Sequence, residues 1–348
     1  MIFMYNKALQ QASDVLVHEL LKVQKDEVFI ITADMIADRG VVDAIFTSAS
    51  QVGAKPLIVW MNTPDGVSEA ADPFLPGEAL VGMLSVADIW IELNHKWLLY
   101  SNVYYQTMKN NKKLRHMCLT GVDTSSMISC VGSVDYEVMQ EFTILLRDKI
   151  KASKKMRMTS ALGEDIRFYN SSNHPISCKM GVVDKPGTHL FVGQIGWAPV
   201  LQSINGKIVF DGSIAPDIGV IETPIEMIIK NGRVEGISGG KEAVAYEAWL
   251  KSFNHAQMLS VAHTGIGFNP GAAVVGSIIQ DQRVLGSTTW GFGSIGAVLL
   301  PPDGIKAPSH SDAVCLNTTL EVDGALWMKN GEFVEPELLP LAKKLKKQ

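Results

Sequence analysis

The sequence predicts an α/β plus α+β protein, with an open, Rossmann-like α/β domain over residues 1–155 and a β-rich α+β domain over residues 156–348. Three observations predict this. Helical and strand-like patterns alternate through the first half, a charged segment KASKKMRMTS crosses at Lys151, and short β-like runs punctuated by glycine follow it. At 348 residues the chain is long enough for two hydrophobic cores, with a cleft between them as the simplest arrangement.

The elements follow in order. An amphipathic opening segment runs to about Val23. Then come the strand-like EVFIIT, a helical VVDAIFTSASQVGA and the strand-like KPLIVWM. A helical EALVGMLSVA leads to DIWIEL, which ends at Asn94 and His95, and LRHMCLTGV precedes a long helix from near Tyr136 to Ile150. Strand and helix in alternation imply a parallel sheet. After Lys151 the texture becomes KIVFDGSI, PIEMIIKNGRVEGISGG and GAVLLPPDG, with no fixed-period repeat and no low-complexity tract.

Composition excludes several classes. Against 36 acidic residues stand 31 basic ones, and the one lysine run, Lys343 to Lys347, reads as a solvated helix end, so no basic face awaits nucleic acid. The opening MIFMYNKALQQASDVLVHEL is interrupted by Lys7, Asp14 and His18, unlike a signal peptide or a membrane span. Cys118, Cys130, Cys178 and Cys315 are scattered without a CxxC pair and read as reduced thiols, so a cytoplasmic protein without a membrane partner is expected. EVFIITADMIADRG stands where a GxGxxG would follow the first strand, which disfavours a nicotinamide enzyme.

The chemistry-bearing candidates lie in the second half. His310 and Asp312 form an HxD pair. On a strand these side chains point to one face and can grip one ion. His263, at the edge of the glycine-rich SVAHTGIGFNPGA, would complete a two-histidine, one-carboxylate set of the kind that holds Fe(II) with open positions. An HxD alone is more often a surface or capping histidine beside an acid than a metal site.

Six segments in order, GEDIRF, GQIGWAP with KIVFDGSI, IIKNGRVEGISG, AHTGIGFNPGA, GSTTWGFGSIG and PSHSDAV, resemble the aminopeptidase T-like metallopeptidase superfamily over nearly the whole second half. The resemblance departs from the two-metal peptidase pattern at three places. Gln194 replaces a glutamate, His263 occupies or adjoins the place of a second, and Trp290 stands where a histidine belongs, while His310 and Asp312 are kept. Neither a glutamine amide nor an indole N–H replaces a carboxylate or imidazole as metal ligand. The pattern looks like the 2,5-dihydroxypyridine 5,6-dioxygenase branch of that superfamily.

That resemblance implies one Fe(II) per chain on His263, His310 and Asp312, a small hydroxypyridine and O2 as reactants, and a homo-oligomer. The alternative is an aminopeptidase T-like metallo-aminopeptidase with a remodelled ligand set.

Supporting residues are expected around the metal. His95, at a strand's carboxyl end, is a candidate acid, base or hydrogen-bond donor, against a plain surface histidine. Glu164 is a candidate proton acceptor for a ring N–H, against an ordinary turn residue. Trp197 and Trp290 are candidates for stacking on a flat ring, against simple core aromatics, and Ser294 in GFGSIG is a candidate substrate contact. His18, His116, His174, His189 and His255 lack a second ligand at useful spacing and read as structural or surface residues.

Overall fold

The computed structural model describes residues 6–178, 180–216 and 218–346. It resolves into two compact units, one formed by residues 1–134 with 181–192 and the other by residues 135–180 with 193–348. The first five residues of the opening segment, and Lys347 of the lysine run, lie outside the described residues.

The first unit is built on a five-stranded parallel sheet in the order β2-β1-β3-β4-β5, comprising β1 (Val28–Asp34), β2 (Lys55–Met61), β3 (Ile89–Glu92), β4 (Arg115–Cys118) and β5 (Gly187–Leu190). Central strand β1 is buried from Phe29 onward, as a strand covered on both faces must be. The helices α1 (Lys7–Asp14), α2 (Arg39–Val52), α3 (Gly77–Leu84) and α4 (Asn102–Asn110) belong to this unit. In α2 the Asp38 carboxylate caps the first turn by accepting from Gly40 and Val41 N–H, and Gly53 at φ 85° ends it. Between these caps Val41, Val42, Ile45, Ser48 and Ala49 form the buried stripe. Leu80 and Leu84 of α3 and Val103 of α4 pack with Ile30, Trp90 and Leu114.

Two fully buried carboxylates at strand carboxyl ends then hold the segment that follows β3. Asp34 Oδ2 accepts from the N–H of His95 at 2.8 Å and of Lys96 at 3.1 Å. Glu92 Oε1 accepts from Leu98 N–H at 2.5 Å, Leu99 N–H at 3.3 Å and the Thr120 hydroxyl at 3.3 Å, while His116 Nε2 lies 3.0 Å from its other oxygen. Trp90 stacks on the His116 ring at 4.1 Å, so that pair is sealed from water.

The second unit contains two antiparallel sheets. One has eight strands, among them Lys155–Thr159, Asp165–Tyr169 and Asn205–Phe210. The other has seven, with β6 (Gln194–Trp197), β7 (Val261–Gly267), β8 (Thr288–Ile295) and β9 (Ile305–Cys315) side by side at its centre in the order β9-β8-β7-β6. Phe168 meets Trp290 edge to face at 5.4 Å and Phe210 meets Phe292 at 6.0 Å, so one face of the seven-stranded sheet packs on the eight-stranded one. This is its core face.

Two segments fall in other units than the texture change at Lys151 suggests. Helix α5 (Tyr136–Ala152) belongs to the second unit, where Phe142 packs on Phe268 and Phe333. Strand β5 returns to the first, pairing with β4 from Arg115↔Gly187 to Cys118↔Leu190. Contacts between residues far apart in sequence decide both, side-chain packing for the helix and strand pairing for β5, and composition carries no sign of either. No disulfide joins the cysteines among the described residues.

Removing one buried carboxylate tests the first unit. Glu92→Ala leaves the Leu98 and Leu99 N–H groups, Thr120 and His116 without their acceptor, so urea denaturation should show a loss of about 3 kcal/mol or more. A loss under about 1 kcal/mol would mean that water replaces the carboxylate.

Candidate metal centre

The face of the seven-stranded sheet opposite the core carries the candidate ligands. Registers His263↔Gly291↔Asp312 and Gly293↔His310 place His263 on β7 and His310 with Asp312 on β9, separated by the intervening strand β8. Strands two apart lie about 9.6 Å from each other, so side chains from β7 and β9 meet only if β8 leaves the space between them open. Strand β8 has glycine at both positions. A Cβ at Gly291 would lie 2.4 Å from His263 Nε2 and 2.5 Å from its Cδ2. The imidazole therefore lies flat across the bare backbone of Gly291.

Three ligand atoms converge as a result. His263 Nε2 is 3.1 Å and His310 Nε2 is 3.3 Å from Asp312 Oδ1, and the two Nε2 atoms are 3.2 Å apart. Ligands about 2.1 Å from one ion stand about 3 Å apart, so this triangle matches a shared cation. His310 Nδ1–H donates to the Ser294 carbonyl at 2.7 Å, which fixes the tautomer with the Nε2 lone pair turned to the centre. His263, His310 and Asp312 keep 13%, 33% and 18% side-chain exposure, so the centre is reachable by a small molecule. Enclosure alone would lower His310 and raise Asp312. Their contact reverses both shifts, with His310 raised and the two imidazoles holding Asp312 far below the usual carboxylate range. The donor set of two imidazoles and one carboxylate suits a borderline divalent cation such as Fe(II).

The other candidates divide between faces and units. Trp197 and Trp290 are both opposite Thr264, the neighbour of His263, and thus point to the core face. Trp290 is fully buried against Phe168, and Trp197 is buried with its Nε1–H donating to Asn170 Oδ1 at 2.8 Å. Strand alternation turns both indoles away from the triad.

Glu164 is likewise on the core side. Its Oε2 accepts from the Thr318 hydroxyl at 3.4 Å and it lies beside Cys315, whose register partner Thr288 shares the face of Trp290. Burial, reinforced by Asp211, pushes the Glu164 carboxyl up to about 8. It is a neutral acid inside the unit, on the side away from the triad.

Ser294 lies beside the centre, where its backbone carbonyl accepts from His310. His95 is exposed in the first unit, at the carboxyl end of the parallel sheet, with its backbone pinned by Asp34. Sequence reasoning passed over Gly291 and Gly293. Their alternation within the strand-like TTWGFGSI was the available signal, because a strand glycine marks a close approach by another group.

Two variants follow from this geometry. Gly291→Ala puts a methyl group where the His263 ring lies, and metal titration should show affinity reduced about 10-fold to 100-fold, as for a misplaced ligand. For Glu164, the folded state holds a proton between pH 4.5 and about 8 that the unfolded chain has released. That stability is fully present below pH 4.5 and is lost as pH rises towards about 8. Unfolding free energy should therefore fall by about 1.4 kcal/mol per pH unit across that window in the wild type relative to Glu164→Gln. Equal slopes in wild type and variant would show that Glu164 is ionised when folded.

Comparison with known proteins gives the family. A model of the 2,5-dihydroxypyridine 5,6-dioxygenase family matches residues 11–335. The 2,5-dihydroxypyridine 5,6-dioxygenase of Pseudomonas putida KT2440 is 22% identical over 338 residues, covering 92% of this chain and 94% of that protein. Among solved structures, 2,5-dihydroxypyridine dioxygenase from the same organism matches with a TM-score of 0.76 at 20% identity, covering 96% of this chain and 98% of the other. Wild-type AmpT from Thermus thermophilus matches with a TM-score of 0.70 at 12% identity, covering 94% and 99%. With the family model spanning nearly its full length, this chain belongs to the 2,5-dihydroxypyridine 5,6-dioxygenase family.

Proposed function

We propose that this chain is a mononuclear Fe(II) dioxygenase that opens the ring of 2,5-dihydroxypyridine with O2 to give N-formylmaleamic acid, in the breakdown of nicotinic acid. The observation that carries the reading is the convergence of His263, His310 and Asp312 on an accessible sheet face of a member of this family. Fe(II), when bound, supplies the electron transfer between ring and dioxygen that a singlet organic molecule cannot make alone.

The protein's own residues supply orientation and proton handling. Asp312 contributes the negative charge that offsets the cation, and Ser294 holds His310 in the ligating tautomer. Gly291 and Gly293 leave the middle strand without side chains between the ligands. His95 of the first unit, with its backbone fixed by Asp34 and its imidazole exposed, is a candidate acid, base or hydrogen-bond donor.

The peptidase reading requires a second cation. Gln194 is a neutral amide whose nitrogen is paired with Gln282, and Trp290 faces the core, so neither supplies the carboxylate or imidazole such an ion needs. No helix among the described residues is long and apolar enough to cross a membrane, and a cytoplasmic homo-oligomer fits the reading.

Anaerobic reconstitution with Fe(II) should give one iron per chain. Addition of 2,5-dihydroxypyridine and oxygen should then consume both in equal amounts, followed by the ultraviolet band and an oxygen electrode. His310→Ala should lose both the iron and the oxygen uptake. Two metals per chain, no oxygen uptake and release of amino acids from amino-acid amides would return the protein to the peptidases.

A further inference from the structure

Beyond the metal ligands the triad face carries Gln194 and Gly196 of β6, Gly265 of β7 and the buried Thr289 of β8. Alternation puts Gln194 and Gly196 of β6 on the same face as His263 and Gly265 of β7, with Gly196 opposite Gly265 and Gln194 opposite Gly267. A Cβ added at Gly196 would meet only the Thr264 carbonyl, at 3.6 Å, so the space above that glycine is open. A Cβ at Gly265 would lie 3.4 Å from Gln194 Nε2, so the glutamine folds its amide over Gly265. Residues two apart on a strand are separated by about 7 Å, so the amide stands about one substituted six-membered ring away from the base of His263.

The amide is fixed in orientation. Gln194 Nε2–H donates to Gln282 Oε1 at 2.6 Å, which identifies its nitrogen end and keeps one of its two N–H bonds engaged. The second N–H and Oε1 take no hydrogen bond among the described residues, although Gln194 is only 9% exposed. A primary amide that presents one donor and one acceptor side by side is the complement of a lactam edge, which presents C=O and N–H in the same way.

We propose that Gln194, oriented by Gln282, is the specificity residue of this site and reads the lactam edge of a hydroxypyridine bound as its 2-pyridone tautomer, with the ring spanning from the triad to the amide above Gly265. This rests on the dioxygenase reading for the identity of the substrate. Positions 2 and 5 of the ring are para to each other, so a 5-hydroxyl directed at the triad carries the C2 carbonyl and ring N–H to the far end, where the Gln194 amide stands. Gln194 accepts from the ring N–H through Oε1 and donates its second N–H to the carbonyl. A dihydroxybenzene of equal size offers a single hydroxyl there and satisfies only one end of the amide, which is how a polar site disfavours an isostere.

The test is anaerobic ligand titration of the iron-loaded protein, in which nothing turns over. The probes are 2,5-dihydroxypyridine and 1,4-hydroquinone, followed by their ultraviolet bands. Gln194→Leu should retain its iron, weaken 2,5-dihydroxypyridine about tenfold or more and weaken hydroquinone distinctly less, because the first ligand loses two hydrogen bonds and the second at most one. Gln282→Leu, which frees the amide to rotate without removing it, should give a smaller loss for the same ligand and serves as the measurement if the first variant does not fold. Equal weakening of both ligands, no weakening of either, or a wild type that binds neither would overturn the proposal. A wild type that shows the expected selectivity but never consumes oxygen would instead sink the dioxygenase reading and leave lactam recognition standing.

Discussion

The centre depends on an absence of side chains on the middle strand. His263 and the His310–Asp312 pair come from strands separated by β8, and they meet because Gly291 and Gly293 occupy the positions between them. With any Cβ at Gly291 the imidazole would have to leave the position from which it touches both His310 and Asp312. Backbone hydrogen bonding in the sheet then holds all the strands in register, so the triangle of ligand atoms is set by the sheet and not by a mobile loop.

The same sheet separates two chemistries by alternation alone. On the core face Trp290 and Phe292 interlock with Phe168 and Phe210, giving the rigid backing on which ligand placement relies. On the other face lie the glycines, the amide of Gln194 and the partly exposed triad. Glu164 shows the consequence for a carboxyl group caught on the core side. Without a cation and beside Asp211 and Cys315 it is kept protonated, whereas Asp312, between two imidazoles, is held ionised.

In the first unit the corresponding rigidity comes from Asp34 and Glu92, buried acceptors at the carboxyl ends of adjacent strands. Between them they engage four backbone N–H groups of the segment from His95 to Leu99. The carboxyl end of an open parallel sheet is where α/β proteins place ligand-facing groups, and here that segment is held from beneath.

Much of this was legible in the sequence, where the evidence is local. Alternating patterns gave the parallel sheet of the first unit, and β-branched and glycine-punctuated runs gave the β-rich second one. HxD spacing put His310 and Asp312 on one strand face because i and i+2 share a face in any strand. Which face the remaining residues share was not local information. Trp197, Trp290 and Glu164 sit in motifs next to ligand residues, yet a single-residue step in strand register turns them to the core, and register is set by pairing with strands far away in the chain. The return of β5 to the first sheet and the convergence of His263 with a pair 47 residues further on are likewise pairing events between distant segments. The sequence by itself determined the residue types able to hold a metal and the strands that carry them. Only the tertiary structure decided which of those side chains meet, because inter-strand hydrogen bonding sets register and register sets the face.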